Sequence, residues 1–357
     1  MFITKPSWYD AFSCLAGRCP DTCCGAWQVE IDERSLALYR SVEGPVGEQI
    51  RSALIEEDGT YRFAMDGGRC TLLTPEGLCA IQCILGEQAL CRSCGFYPRF
   101  VTEIGARREL GLCLSCPEAA RLILTSESFA LCTEETNEPI TAIHELSPEL
   151  IMTLRGLRTR ALELAADRSL PFGERCARIL ALCAPAGRAR RDRDLASALE
   201  AGLAQSRRPA GAPDPEGAGH VLAALRAACA DMEYLEPAHR DQMDAALAGG
   251  AGGWTECCPA LPQLWENLLC YGICRYFPRA AFDRSVWPTA VLSVTLPLLL
   301  RQLLAGTHDA EAALRTAWTL SRELEHSEEN LRRLFRCFGT RAFRPSVLPA
   351  AFAAFAD

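Results

Sequence analysis

Cysteine crowding near the start of the chain is the sequence feature that most constrains its fold. Twelve of the 20 cysteines in this 357-residue chain lie within residues 14–132. Eleven of these twelve form four short-range groups: Cys14, Cys19, Cys23 and Cys24; Cys70, Cys79 and Cys83; Cys91 and Cys94; Cys113 and Cys116. Thiolates on such short loops suit zinc or an iron–sulfur cluster, because metal binding offsets the entropy lost when the loops become ordered. The first part of the chain is therefore predicted to fold around a metal or cluster site.

Two other interpretations of the cysteines compete with a cluster. The Cys91-x2-Cys94 and Cys113-x2-Cys116 pairs have eighteen residues between them, which alone would suggest a four-cysteine zinc ribbon. A disulfide framework is the second alternative. The opening Met-Phe-Ile-Thr-Lys-Pro lacks the apolar segment of an export signal, so we expect a cytoplasmic protein, where clustered cysteines are more often ligands or catalytic thiols.

The isolated cysteines later in the chain have a different expected role. They stand singly in stretches rich in alanine and leucine, where a cysteine mostly behaves as a small core residue. These cysteines are Cys176, Cys183, Cys229 and Cys337.

Length, composition and charge limit the fold class and the partners. The chain is long enough for two domains, and its alanine and leucine content favours helices. We predict a mainly α protein with a small, irregular cysteine-rich domain over residues 1–140 and a helical domain over residues 141–357. The formal charge of -8 argues against nucleic acid or an anionic membrane as the main partner. The apolar stretch 286–300 is too short for a membrane span and is predicted to be a buried helix.

Several local patterns predict individual elements. Strand-like segments occur at residues 27–32 and 61–65, between the cysteine loops. Ser147-Pro148 is a good helix start, residues 265–279 resemble a core helix, and Ser327 begins a helix that carries Leu331 and Leu334. Residues 204–219 are predicted to form a flexible loop, and the glycines at 249–253 a second break.

Familiar catalytic signatures are missing from the sequence. The chain has no dinucleotide fingerprint, phosphate-binding loop, His-Glu-x-x-His motif or Gly-x-Ser-x-Gly elbow, and it lacks the Cys-x3-Cys-x2-Cys run of radical enzymes. The histidines have no partner motif, so each is expected to be structural or exposed. They are His144, His220, His239, His308 and His326.

Blocks distributed along the chain resemble the flagellin lysine N-methylase family. They are Tyr9-Asp-Ala-Phe-Ser-Cys14; Cys19-Pro-Asp-Thr-Cys-Cys-Gly-Ala-Trp27; the segments from Cys70 to Gln82 and 85–87; Tyr97-Pro-Arg99; Leu114-Ser-Cys116 to Arg121; Glu266-Asn-Leu; Arg275-Tyr-Phe-Pro; and His326 to Leu331. The resemblance is weak over residues 170–255. The first blocks are also similar to a wider class of small cysteine modules that chelate zinc or iron.

This resemblance implies an enzyme that methylates lysine side chains of a protein, flagellin, using S-adenosylmethionine. It also implies an iron–sulfur cluster of the four-iron four-sulfur type, with zinc as the alternative metal. The cysteines that match the family pattern, and are therefore the expected ligands, are Cys14, Cys19, Cys23, Cys24, Cys70, Cys79, Cys94 and Cys116. Cys83, Cys91 and Cys113 do not belong to that pattern. One cubane cluster uses four thiolates, so some of the eight are structural or a second metal is present.

Methyl transfer to lysine requires a neutral amine, water exclusion and a group that accepts the ammonium proton. Candidates within the matched blocks are Tyr97, Glu266, Tyr271, Tyr276 and Glu328, although no motif assigns them a role. Two other functions remain possible: a zinc or iron carrier or sensor without methyltransferase activity, and an iron–sulfur oxidoreductase. The missing flavin and nicotinamide fingerprints count against the last.

Overall fold

The computed structural model describes residues 1–25, 29–139, 146–189, 191–249 and 258–355. Helices dominate the described residues, which confirms the mainly α prediction. The helices are α1 (Glu33–Ser41), α2 (Gly44–Ser52), α3 (Ala80–Leu85), α4 (Arg92–Phe96), α5 (Pro117–Leu124), α6 (Pro148–Ala165), α7 (Phe172–Arg188), α8 (Leu195–Ser206), α9 (Pro215–Ala230), α10 (Pro237–Ala248), α11 (Leu264–Tyr276), α12 (Ala280–Asp283), α13 (Val286–Leu303), α14 (Ala310–Glu325), α15 (Glu328–Cys337) and α16 (Leu348–Ala353). The strands are β1 (Phe2–Pro6), β2 (Leu54–Glu57), β3 (Thr60–Phe63), β4 (Met65–Asp66), β5 (Arg69–Cys70), β6 (Arg99–Ile104), β7 (Arg107–Leu112) and β8 (Leu131–Glu135).

A four-stranded sheet joins the two ends of the cysteine-rich region. Its strand order is β6-β7-β1-β8, with β1 parallel to β7 and antiparallel to β8. Thr4 of β1 and Thr133 of β8 are register partners, and their hydroxyls lie 3.0 Å apart. Apolar residues near this sheet, including Trp8 and Leu112, belong to the same large core as the helices that follow.

The middle of the cysteine-rich region has a small core of its own. Tyr39 of α1, Ile50 of α2 and Phe63 of β3 are buried in it together with Cys91. The Tyr39 hydroxyl donates to the carbonyl of Ala89 at 2.9 Å, so the aromatic ring is buried while its polar end remains hydrogen-bonded. Two short hairpins, β2–β3 and β4–β5, complete this part. The strand prediction near residue 61 is thus confirmed over β3.

The large core is formed mainly by long helices in the second part of the chain. Helices α11 and α13 pack closely: a Cβ atom added to Gly272 would lie 3.0 Å from the Cα of Ser293. Helix α13 is the one helix of the described residues long and apolar enough to cross a membrane, yet 89% of its apolar window is buried inside the protein. The expected buried helix at residues 286–300 is confirmed. The isolated cysteines at 176, 183, 229 and 337 are also buried, as predicted.

The helix starts read from the sequence are confirmed by their capping geometry. The Ser147 hydroxyl accepts a hydrogen bond from the Leu150 amide at 3.3 Å, and Ser327 accepts one from Asn330 at 3.1 Å. Residues 265–279 lie largely in α11, as expected.

The predicted breaks agree less well with the described residues. The loop expected at residues 204–219 is shorter, because α8 runs to Ser206 and α9 begins at Pro215. Most of the glycine break at 249–253 and part of the strand-like segment 27–32 lie outside the described residues, and so does His144. Within that segment, Glu30 forms an isolated bridge with Arg62. The division at residue 140 stays a prediction.

Candidate functional site

Cys24 contacts cysteines from two of the other sequence positions, Cys70 and Cys79, as well as its neighbour Cys23. Its backbone carbonyl accepts a hydrogen bond from the Cys70 amide at 2.9 Å, which fixes the first cysteine loop against β5. Its thiol is hydrogen-bonded with Cys23 and Cys79. These contacts lower the pKa of Cys23 to about 7 and that of Cys79 to about 6, while they raise the pKa of Cys24 strongly. The lowered pKa values of Cys23 and Cys79 favour the thiolate, the form in which cysteine binds metal.

Cys91 and Cys94 form a second thiol pair at the start of α4. A hydrogen bond with Cys94 lowers the pKa of Cys91 to about 7 and raises that of Cys94. Burial raises the pKa of Cys70, and the negative charges of Cys79, Cys91 and Cys23 add to this effect. Mutual repulsion of this kind indicates that thiols from separate sequence groups lie near one another.

Cys14, Cys19 and Cys116 lie close enough to Cys23 or to one another for their charges to interact. Burial raises the pKa of Cys19, and the charges of Cys14 and Cys23 act in the same direction. Burial also raises the pKa of Cys116 to about 11, with Cys19 and Cys23 contributing. Cys23 thus interacts electrostatically with Cys19, Cys70 and Cys116, which come from separate sequence groups.

Of the eight expected ligands, Cys23, Cys24 and Cys79 contact one another, and the eight together do not form a closed metal cage. Among the described residues, no three histidine, cysteine, aspartate or glutamate side chains converge on positions that could hold a metal ion. No disulfide joins the cysteines of this part of the chain. The donor set suits iron–sulfur chemistry or zinc because it consists of clustered thiols, some with lowered pKa values. Ligation of one metal by four of them would require their side chains to rearrange.

The cysteines outside the family pattern occupy different surroundings. Cys83 is exposed on α3. Cys91 is buried in the small core, and Cys113 is buried next to Arg275 and Glu325. Burial raises the pKa of Cys113 to about 11. Because Cys91 belongs to the small core and Cys116 to the large one, the two CxxC pairs lie in different environments.

A hydrogen-bond network beside the cysteines links three of the blocks that carry the family resemblance. Ser115 is fully buried, and its hydroxyl lies 2.7 Å from His326 Nε2 and 3.0 Å from the Tyr97 hydroxyl. Arg322 donates from Nε to the Ser115 carbonyl at 3.1 Å and from Nη1 to Asp21 Oδ2 at 2.6 Å. The end of α14 is thereby bound both to the loop before α5 and to the first cysteine loop.

Partial burial changes the protonation of this network. Burial raises the pKa of Tyr97 well above its usual value, so its hydroxyl keeps its proton. Desolvation lowers the pKa of His326, the charge of Glu325 opposes this, and the charges of Arg275 and Arg322 reinforce it. His326 is therefore neutral at pH 7 and has one nitrogen able to accept a proton.

Glu325 connects α14 to α11 within the same interface. Its side chain is 2% exposed. The Tyr271 hydroxyl donates to Glu325 Oε2 at 2.5 Å and accepts a hydrogen bond from the Leu114 amide at 3.2 Å. Ser321 donates to the other carboxylate oxygen at 2.7 Å, and Arg275 Nε lies 3.6 Å from Oε2. Burial raises the pKa of Tyr271 well above its usual value.

The structure divides the five candidate proton-transfer residues into two sets. Tyr97 and Tyr271 lie in the networks just described, and Tyr276 is buried next to Glu325. Glu266 instead binds Arg168 and Arg175, and Glu328 is exposed and pairs with Arg332 at 3.4 Å. The sequence patterns missed Ser115 and Glu325. Their positions were the available signal. Ser115 lies inside a block that resembles the family, and Glu325 lies immediately before another such block.

Two asparagines that the sequence patterns also missed lie in the Glu266-Asn-Leu block and in the block from His326 to Leu331. Asn267 is fully buried and donates to the carbonyl of Ser126 at 2.7 Å, which joins α11 to the end of α5. Asn330 is equally buried and donates to the carbonyls of Glu233 and Glu323, both at 2.7 Å. Each satisfies buried backbone groups between elements, so both are structural.

Comparison with known proteins gives partial matches. Over 141 residues, 38% of this chain, the sequence is 26% identical to the "Lysine-N-methylase" of Salmonella typhimurium strain LT2 and to the protein of the same name from Salmonella choleraesuis. Part of the chain is thus similar in sequence to proteins named lysine N-methylase. Over 129 residues it is 27% identical to the "Flagellar biosynthetic protein FliU" of Salmonella muenchen, of which it covers 76%.

The similarity to the lysine N-methylases is limited in extent. The matched segment spans 35% of the length of those two relatives. No family model and no solved structure matches the chain.

Proposed function

We propose that this protein is a cytoplasmic enzyme that transfers methyl groups from S-adenosylmethionine to lysine side chains of a protein substrate, flagellin. The observation that carries the proposal is the similarity of 141 residues to proteins named lysine N-methylase. The network of Tyr97, Ser115 and His326 supports it, because residues from three separate resembling blocks meet there.

The proposal includes a structural four-iron four-sulfur cluster, with zinc as the alternative. The proposed ligands come from Cys14, Cys19, Cys23, Cys24, Cys70, Cys79, Cys94 and Cys116. The thiol contacts of Cys24 with Cys23 and Cys79 support a shared site. Neighbouring residues rarely bind one metal atom together, so Cys23 and Cys24 would serve different positions. Because ligands must be brought together by folding, the cluster would stabilise the cysteine-rich region.

His326 is the proposed proton acceptor. S-adenosylmethionine, when bound, supplies the methyl group as a sulfonium. Lysine must lose its ammonium proton before its nitrogen forms a bond to that methyl carbon and the carbon–sulfur bond breaks. A neutral His326 can take this proton and release it to solvent, while Ser115 and Tyr97 hold the ring in place. Glu325, through Tyr271, fixes the helix end that carries His326.

A metal carrier or sensor is the second candidate function. The observation in its favour is that Cys14 and Cys23 are exposed, so metal bound there would be accessible to another protein. Such a protein would bind metal reversibly and would not bind S-adenosylmethionine.

Metal analysis and a methylation assay on one anaerobic preparation test the two functions. Iron with matching sulfide, binding of labelled S-adenosylmethionine and transfer of label to flagellin would support the methylase. Zinc alone, without cofactor binding, would overturn it in favour of the carrier. His326→Asn should lose transfer but keep cofactor binding. The matched control is His220→Asn on α9, because His220 is exposed and away from the network.

A further inference from the structure

A groove between α6 and α8 carries positive charge that the proposed chemistry does not use. It has a volume of about 550 Å³ and is lined by Met152, Arg155, Arg160, Leu203 and Arg207, among others. Its floor is formed where the two helices approach closely: a Cβ atom on Gly156 would lie 2.8 Å from the Leu199 side chain. The groove is therefore shaped mainly by helix packing, and Arg207 lies directly after the end of α8.

The arginines of this groove are incompletely neutralised. Arg160 pairs with Glu163 at 2.9 Å. Within the described parts of the chain, Arg155 and Arg207 form no salt bridge. Both are exposed, so their guanidinium groups are available to a ligand.

Further arginines extend the positive region beyond Arg155. A small adjoining cavity is lined by Arg107, Arg155 and Arg158 together with Glu109. Arg158 is paired with Glu109. Burial lowers the pKa of Arg107, and the charges of Arg155 and Arg158 act in the same direction. Several positive charges lie close together here, although the chain as a whole has a formal charge of -8. An anionic partner would stabilise this cluster of arginines.

We propose that this groove docks an acidic segment of the protein substrate. The guanidinium group of arginine can donate two parallel hydrogen bonds to one carboxylate. Arg155 and Arg207 place two such groups along the same groove. Met152 is 69% exposed and Leu203 is half-buried, so apolar side chains between the acidic residues would also find contacts. The acidic character of the chain and the absence of aromatic residues among those lining the groove disfavour nucleic acid. The binding of an acidic segment does not depend on the proposed function. The statement that this segment belongs to a protein that is methylated rests on the proposed function.

Direct binding of a fluorescein-labelled polyglutamate peptide, followed by anisotropy, tests this inference without methyl transfer. The Arg155→Glu/Arg207→Glu variant should bind about tenfold more weakly, because attraction to two cations becomes repulsion. Its matched control is Arg341→Glu/Arg344→Glu, which makes the same charge change at two exposed positions outside the groove. Binding should weaken as NaCl is raised, and labelled polylysine should not bind to the groove.

Three outcomes would overturn the inference: equal losses in both double variants, no measurable binding of polyglutamate, or tighter groove-dependent binding of a single-stranded oligonucleotide. The last result would identify a nucleic-acid site. With flagellin as substrate, the groove variant should raise KM and leave kcat unchanged. If methylation is absent but the peptide binds through the groove, the proposed function fails and the docking site stands.

Discussion

Replacing Glu266 by glutamine decides whether this candidate acid is structural or catalytic. Glu266 lies in the first turn of α11 and is 7% exposed. Its carboxylate accepts hydrogen bonds from Arg168 Nε at 2.8 Å and Nη2 at 3.0 Å, and Arg175 Nη1 lies 3.5 Å away. The geometry is that of a charge cluster that holds α11 against the α6–α7 connection. We therefore expect Glu266→Gln to lower the free energy of unfolding and to leave the catalytic step intact.

The size of the effect follows from the exposure of the two arginines. Removing one partner of a buried ion pair costs about 3–5 kcal/mol, because the remaining charge stays desolvated, whereas an exposed pair contributes about 0–1 kcal/mol. The Arg175 side chain is 12% exposed, but that of Arg168 is 54% exposed and can regain water. Arg175 also keeps its bonds to the carbonyls of Leu170 and Ala165. An intermediate loss of about 1–3 kcal/mol is expected.

Chemical denaturation and steady-state methylation measured on the same preparations test this expectation. Glu328→Gln is the matched control, since Glu328 is also in the first turn of a helix but its side chain is 91% exposed. The control should change stability by less than about 0.5 kcal/mol. Unchanged stability of Glu266→Gln together with loss of methyl transfer would refute the structural interpretation.

Three further predictions concern the cysteines, a helix cap and helix packing. Cys94→Ser should lose iron and fold together, whereas Cys337→Ser, in the large core, should retain both; retention of iron by Cys94→Ser would remove it from the ligands. Asp32 caps α1 and accepts the Arg92 amide, and this bond lowers its pKa from 3.8 to about 2. Asp32→Ala should therefore lower the free energy of unfolding by about 1 kcal/mol at pH 7. This loss of stability should be complete above pH 3.8 and should disappear as the pH falls through about 2, where Asp32 of the parent protein becomes protonated. A loss of stability that does not change with pH would contradict the role of the charge. Gly272→Ala should cost about 1–3 kcal/mol by denaturation, because its Cβ would crowd the backbone of α13; a stabilised variant would show that the helices can separate.

The sequence patterns were most successful where structure depends on near neighbours. The caps at Ser147 and Ser327, the buried apolar helix α13 and the core helix α11 were all predicted correctly. A cap needs only the amide three residues later, and a buried helix needs only an apolar composition over a few turns. These signals are present in short windows of sequence.

The cysteine site could be predicted only in part. The sequence shows which thiols are grouped along the chain, but not that Cys24 is hydrogen-bonded with Cys79, which lies in a different group. That contact depends on the pairing of the first cysteine loop with β5. The ligand set itself stays a prediction.

The sequence by itself determined the helical class, the helix starts and the concentration of thiols near the beginning of the chain. Only the tertiary structure decided which polar residues act together. Glu266 and Tyr271 lie on the same helix, yet one binds the arginines of the α6–α7 region and the other binds Glu325. Arg322 reaches Asp21 across 301 residues of sequence. Such partners are selected by packing of distant elements, and burial then makes their pairing obligatory, because an unpaired polar group inside the core is costly.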